Sequence, residues 1–162
     1  MHFHESGSTD RAISDSHKDS CLANMAKAES NGDSKVRFKP YEDEYGASSD
    51  TCCADTLTKN AGALKATIPA GVPSSSYLLR GGAIALHGAN CAYIEDKDAG
   101  AGLFPSCTMI SVIGTGAASL RKYAIPGIYD KNDPGISFNL WDGETNYVIP
   151  GPEIYTPGTL LQ

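Results

Sequence analysis

Glycine and proline fall between short apolar runs along the whole 162 residues, and no apolar stripe persists at helical spacing. That punctuation restricts the chain to short strands joined by turns. "CLANMAKAE" could hold two helical turns, but Asn24 breaks its stripe. "VRFKPY" alternates and stops at Pro40; in "ALKATIPAG", Leu64, Ala66 and Ile68 alternate with Lys65 and Thr67. "CTMISVIGTG" is a further run, and "SFNLWDGETNYVIPGP" sets an Asp142-Gly143 turn between two β-rich pieces, a hairpin signal. This pattern predicts an antiparallel β-sandwich. Two segments read as loops: the acidic "EDEYGASSD", Glu42 to Asp50, and "CAYIEDKDAGAGLFP", Cys91 to Pro105, which is long for a hairpin connection.

Composition narrows the function classes. Hydrophobic content of 41% and charged content of 20% suit one globular domain spanning residues 1–162. A formal charge of −6 argues against a nucleic-acid partner, because phosphate neutralisation needs a basic surface. No apolar run approaches the roughly 20 residues that cross a bilayer. "MHFHESGSTDRA" has no stretch of signal-peptide length, so export is not legible from the chain. The five cysteines are Cys21, Cys52, Cys53, Cys91 and Cys107, an odd number that leaves at least one free or paired outside the chain. Adjacent Cys52 and Cys53 are poorly placed to bond each other, the other pairings stay open, and no spacing suits zinc. The run Glu42-Asp43-Glu44 reads as a solvated turn, not a glycosidase carboxylate pair, since adjacent acids point apart.

One strand poses a question. In "YLLRGGAIALHGAN", Tyr77 to Asn90, alternation puts Ile84 and Leu86 on one face and Ala83, Ala85 and His87 on the other. The first face is bulky, as a core requires. The second is small and leaves room beside the imidazole. His87 is then either a strand-end histidine satisfied by a backbone carbonyl or half of a site completed by a second histidine.

Five blocks, in order, resemble the fungal lytic polysaccharide monooxygenases of auxiliary activity family nine. "HKDSCLANMAKAE" from His17 is similar to that family's His-Lys-Gly-Pro followed by Tyr-Met/Leu-Ala-Lys. "RFKPYEDEY" resembles its Trp-Phe-Lys-Ile run, and "LLRGGAIALHGA" its Leu-Leu-Arg…Ile-Ala-Leu-His strand. "GLFPSC" falls where the family has Gln-x-Tyr-Pro-x-Cys, and "IPGIYDKNDPGISFNLWDGETNYVIPGPEIY" follows its tail.

The resemblance implies an immunoglobulin-like antiparallel β-sandwich with long loops, and copper-dependent oxidative cleavage of cellulose or related β-glucans. It also implies molecular oxygen or hydrogen peroxide, an external electron donor, a monomer and a secreted, extracellular enzyme. Copper in the family sits in a histidine brace of three nitrogens, from an N-terminal histidine and one internal histidine, a donor set that suits the metal. His17 matches the internal metal ligand, and His87 the catalytic outer-sphere histidine that hydrogen-bonds an oxygen species. Phe104 occupies the axial tyrosine's position and Gly102 that of a glutamine. Asp19-Ser20 replace Gly-Pro, and Gly82 replaces a glutamate. Tyr155 and Tyr147 lie in the tail that supplies surface aromatics, so each is either a sugar-stacking ring or a packed core tyrosine.

Sixteen residues precede His17 where family members have much more, so the expectation is a partial domain with its N-terminal part missing. Cys107 then matches a cysteine whose partner lies in the missing part. His2 and His4 would share a strand face, either as an improvised metal site with His17 or by coincidence. The losses at Gly102 and Phe104 carry an alternative, a non-catalytic glycan-binding relict of the same fold with weak or no copper binding. A piece unable to fold alone is a third reading.

Overall fold

The computed structural model describes residues 13–14, 17–46, 48–91, 96–97, 99–120 and 122–156. His2 and His4 lie outside the described residues. The elements are β1 (Asp19–Lys27), a 3-10 turn (Ala28–Ser30), β2 (Phe38–Asp43), α1 (Cys53–Lys59), β3 (Ser75–Ala85) and β4 (Gly102–Val112). The strands form one antiparallel sheet in the order β2-β1-β3-β4. Among the described residues no helix is long and apolar enough to cross a membrane.

β1 contains good helix formers (Leu22, Met25, three alanines), yet it is the inner strand, buried from Asp19 to Ala26. Tertiary context overrides propensity here, because neighbours satisfy its backbone on both sides and packing covers both faces. On one face Met25, Phe38, Val72 and Tyr77 pack together, while Cys21, Cys53, Leu57, Leu64 and Ala83 form a second cluster beneath α1. On the other face Leu22, Ile84 and Leu86 meet Tyr45, Phe138, Tyr147 and Ile149. The bulky face expected of Ile84 and Leu86 is that core.

The polar residues of β1 are buried with partners. Asp19 Oδ1 accepts the Ala54 N–H at 2.8 Å, the Ser20 and Tyr147 hydroxyls bond at 3.0 Å, and the Tyr123 hydroxyl donates to Asn24 Oδ1. A disulfide joins Cys21 to Cys53 and ties β1 to α1. Cys52 is buried and free, and Cys107 is exposed and free.

Three local expectations change. Near-absence of helix missed α1, which is too short for periodicity to register; its signal is Asp55, whose carboxylate accepts the Cys52 N–H at 2.9 Å. The run from Leu64 to Ile68 is extended but pairs with no strand. The Asp142-Gly143 turn forms, with Gly143 at φ +70°, but no hairpin ladder flanks it. The backbone groups there bond elsewhere: Phe138 N–H goes to Ala89 O at 2.9 Å, and Tyr155 N–H to Lys39 O at 2.8 Å. The tail is thus a covering segment. At Gly135 it runs so close to itself that an added Cβ would stand 2.2 Å from the Val148 carbonyl.

Burial pushes the Asp19 carboxyl up from 3.8 to about 6. Below pH 4 it is protonated in folded and unfolded chains alike. Between about 4 and 6 the folded chain keeps a proton that the unfolded chain has released, so stability falls as pH rises through that window, by on the order of 2–3 kcal/mol. Denaturant unfolding at pH 4 and pH 7 checks this: Asp19→Asn, which still offers an acceptor to Ala54, removes that part of the pH dependence. Replacing Cys21 and Cys53 together with alanine lowers the unfolding free energy by about 3 kcal/mol, measured by the same titration.

Candidate functional site

The pairing of β1 with β3 sets Asp19 opposite Ala85, and one further bond, Leu86 N–H to Lys18 O at 2.7 Å, carries the ladder past the strand ends. Continuing that register places His17 opposite His87. Their ring centroids stand 4.2 Å apart at an interplanar angle of 58°. β4 brings Phe104 opposite Ala83, and its ring lies edge-on to His17 at 5.9 Å. Alternation puts His17, Asp19, Ala83, Ala85, His87, Gly102 and Phe104 on the same face of the sheet. The small side chains of Ala83 and Ala85 leave the space that the rings fill.

Gly102 matters by having no side chain. A Cβ there would approach the Phe104 ring to 3.0 Å, so any larger residue must displace the ring from its place beside His17. His87 is solvent-exposed, His17 half-buried, and Phe104 44% exposed. The cluster therefore sits on open surface at one end of the sheet. A groove of about 520 Å³ lined by Lys27, Phe38, Tyr77 and Leu120 lies at the other end of β1, roughly 27 Å along the strand.

The backbone under His17 is clamped from the side. Lys18 Nζ donates to Asp50 Oδ2 at 2.9 Å, and the Tyr45 hydroxyl donates to Asp50 Oδ1 at 3.0 Å. The hydrogen bond to Asp50 raises the Lys18 ammonium above its ordinary value, and the bonds from Lys18 and Tyr45 lower Asp50. Asp19 and the Cys21–Cys53 disulfide fix the next residues to α1. None of these anchors is visible as a sequence motif, because Asp50 lies in a loop far from Lys18 along the chain.

The two tail tyrosines are not surface rings. Tyr147 is 7% exposed, edge-packed by Phe138 at 5.1 Å and Tyr45 at 6.0 Å, and its hydroxyl donates to Gly135 O at 3.3 Å or pairs with Ser20. That corrects the sugar-stacking expectation for Tyr147, whose ring has no free face. Tyr155 is half-buried against the Met25–Phe38 cluster, its ring 6.3 Å from Phe38. The exposed aromatic of the tail is Trp141, at 73%, which sequence reading passed over because it sits inside a turn.

Imidazole nitrogens suit copper, and two of them converge here. They are fewer than the three nitrogens of a brace, and among the described residues no group of three or more His, Cys, Asp or Glu gathers as for a metal. The described residues therefore fit part of such a site, not the whole.

Residues 1–147 match the profile of Auxiliary Activity family 9 (formerly GH61). An AA9 family lytic polysaccharide monooxygenase B of Emericella nidulans is 36% identical over 155 residues, covering 95% of this chain and 41% of that protein. Monooxygenase A of Aspergillus niger is 34% identical over 155 residues, covering 95% and 36%. The chain thus spans about two fifths of the length of these relatives. Among solved structures, CvAA9A superposes with a TM-score of 0.86 at 27% identity, covering 94% of this chain and 69% of that one. A cellulose-active polysaccharide monooxygenase from M. thermophila gives 0.66 at 31% identity, covering 86% and 66%. The antiparallel sheet is accordingly that of the family's β-sandwich, and the chain belongs to Auxiliary Activity family 9.

Proposed function

We propose that this chain is a secreted domain for copper-dependent oxidative cleavage of cellulose or a related β-glucan, with activity impaired by the composition of its site. The observation that supports the reading is the pair of imidazoles 4.2 Å apart on an open face. A crystalline glucan presents a surface that no cleft could enclose, and an exposed cluster at a sheet end can approach it. Copper, when bound, supplies one-electron chemistry with oxygen or hydrogen peroxide and an external electron donor.

His17 would contribute the metal-ligating side chain. Its position is fixed by the β1–β3 ladder and by the Lys18–Asp50 pair beside it. His87, exposed and facing it, would donate a hydrogen bond to an oxygen species held between the metal and the sugar. Phe104 excludes water from the side of His17 without offering an oxygen. Gly102 gives no polar group where the family resemblance places a glutamine.

The last two features favour a second reading, a non-catalytic relative that binds glycan on the same face. Mass spectrometry of cellulose incubated with the protein and a reductant separates the two. Oxidised oligosaccharides support the enzyme; intact cellulose retaining bound protein supports the second reading.

Copper affinity is a separate check. Calorimetric titration is expected to show weak one-to-one binding that disappears in His17→Ala and weakens about tenfold in His87→Ala. Tight binding that survives His17→Ala would remove His17 from the ligand set.

A further inference from the structure

The two edges of the described sheet are built differently. β2 is six residues long, contains Pro40, carries the Lys39–Glu42 ion pair and ends on Asp43. Short length, proline and charge are what keep an edge from adding another strand. β4, "GLFPSCTMISV", runs for eleven residues without a charge, and most of it is exposed on both faces, including Phe104 at 44% and Met109 at 68%. Nothing on it blocks strand addition.

Pro105 fixes which groups face outward. The ladder with β3 runs unbroken through the Pro105–Gly82 pair. A residue with no N–H keeps its place in a ladder only where its nitrogen faces away from the neighbour. By alternation Leu103, Cys107, Met109 and Ser111 present their N–H and C=O groups to the open edge as well. Cys107 is the middle residue of the strand, exposed and free.

We propose that β4 is a self-association edge, at which two copies of this chain pair antiparallel about a two-fold axis through Cys107. That register is self-complementary. Phe104 falls opposite Ile110, Pro105 opposite Met109, and Ser106 opposite Thr108. Aromatic–β-branched and hydroxyl–hydroxyl pairs are among the favourable cross-strand pairs.

The negative charge of each copy is held off the axis, since β4 has none; the charged side chain in register with Cys107 is Arg80, one strand further back. Each copy uses its one unguarded edge of the described sheet, so the association closes at two. The dimer replaces the monomer expected from family resemblance. It also sets Ile110 of the second copy beside Phe104, the ring that borders His17.

A hydrogen-bonded antiparallel pair has its Cα atoms about 5.5 Å apart, within disulfide range. In air the two Cys107 thiols can therefore join: an Sγ–Sγ bond forms, both S–H bonds break, and two electrons and two protons pass to dissolved oxygen, giving hydrogen peroxide.

Sedimentation of the 162-residue chain with and without reductant, with non-reducing electrophoresis, tests the pairing. The expected result is a dimer that becomes covalent in air. Cys107→Ser abolishes the covalent species and retains a reversible dimer. Met109→Pro removes an outward N–H without touching the β3 ladder, and Cys107→Lys sets two ammonium groups on the axis; each lowers the dimer fraction at least tenfold while circular dichroism stays unchanged. Two results overturn the proposal: a wild-type monomer under both conditions, whether or not Cys107 reacts with a thiol reagent, or a dimer that survives Cys107→Lys undiminished.

Discussion

The register of β1 on β3 is the constraint from which the site follows. Asp19 stands opposite Ala85, so two residues further out the strands set one imidazole against the other. A slip of one residue would turn His17 to the opposite face, and with it every apolar side chain of β1. The register is therefore enforced by the core and not by the histidines themselves. Leu22 and Met25 must enter different clusters on opposite faces, and only one alignment allows both.

Around that register the anchors are local and of several kinds. The Cys21–Cys53 bond is covalent, the Asp19–Ala54 contact is a buried hydrogen bond, and Lys18–Asp50 is an ion pair open to solvent. They differ in what weakens them. Exposed ion pairs contribute little to stability and are screened by salt, so Lys18–Asp50 orients the strand end more than it holds it. The buried carboxyl of Asp19 holds more strongly and pays for it in desolvation.

Much of this was legible in the chain. Alternation alone put His87 with Ala83 and Ala85 and opposed them to Ile84 and Leu86, the arrangement found. What spacing could not supply was the partner of His87, because register between strands distant in sequence is set by packing across the sheet. The resemblance to a known family filled that gap by pointing to His17. It misled at Tyr147, where a tail position that resembles a surface aromatic is instead wedged between Tyr45 and Phe138. α1 escaped notice because two turns carry no periodicity, and the hairpin at Gly143 failed to form because its backbone groups found partners on older parts of the sheet.

The inner position of β1 has a kinetic corollary. Its neighbours β2 and β3 flank it in space, but β3 arrives only after a long excursion through α1 and the loops that follow. Chains dominated by such distant pairings fold slowly, since loop entropy is spent before contacts return it. The facing imidazoles consequently exist only in molecules that have completed the last pairing. A ligand captured between them selects those molecules and slows their loss.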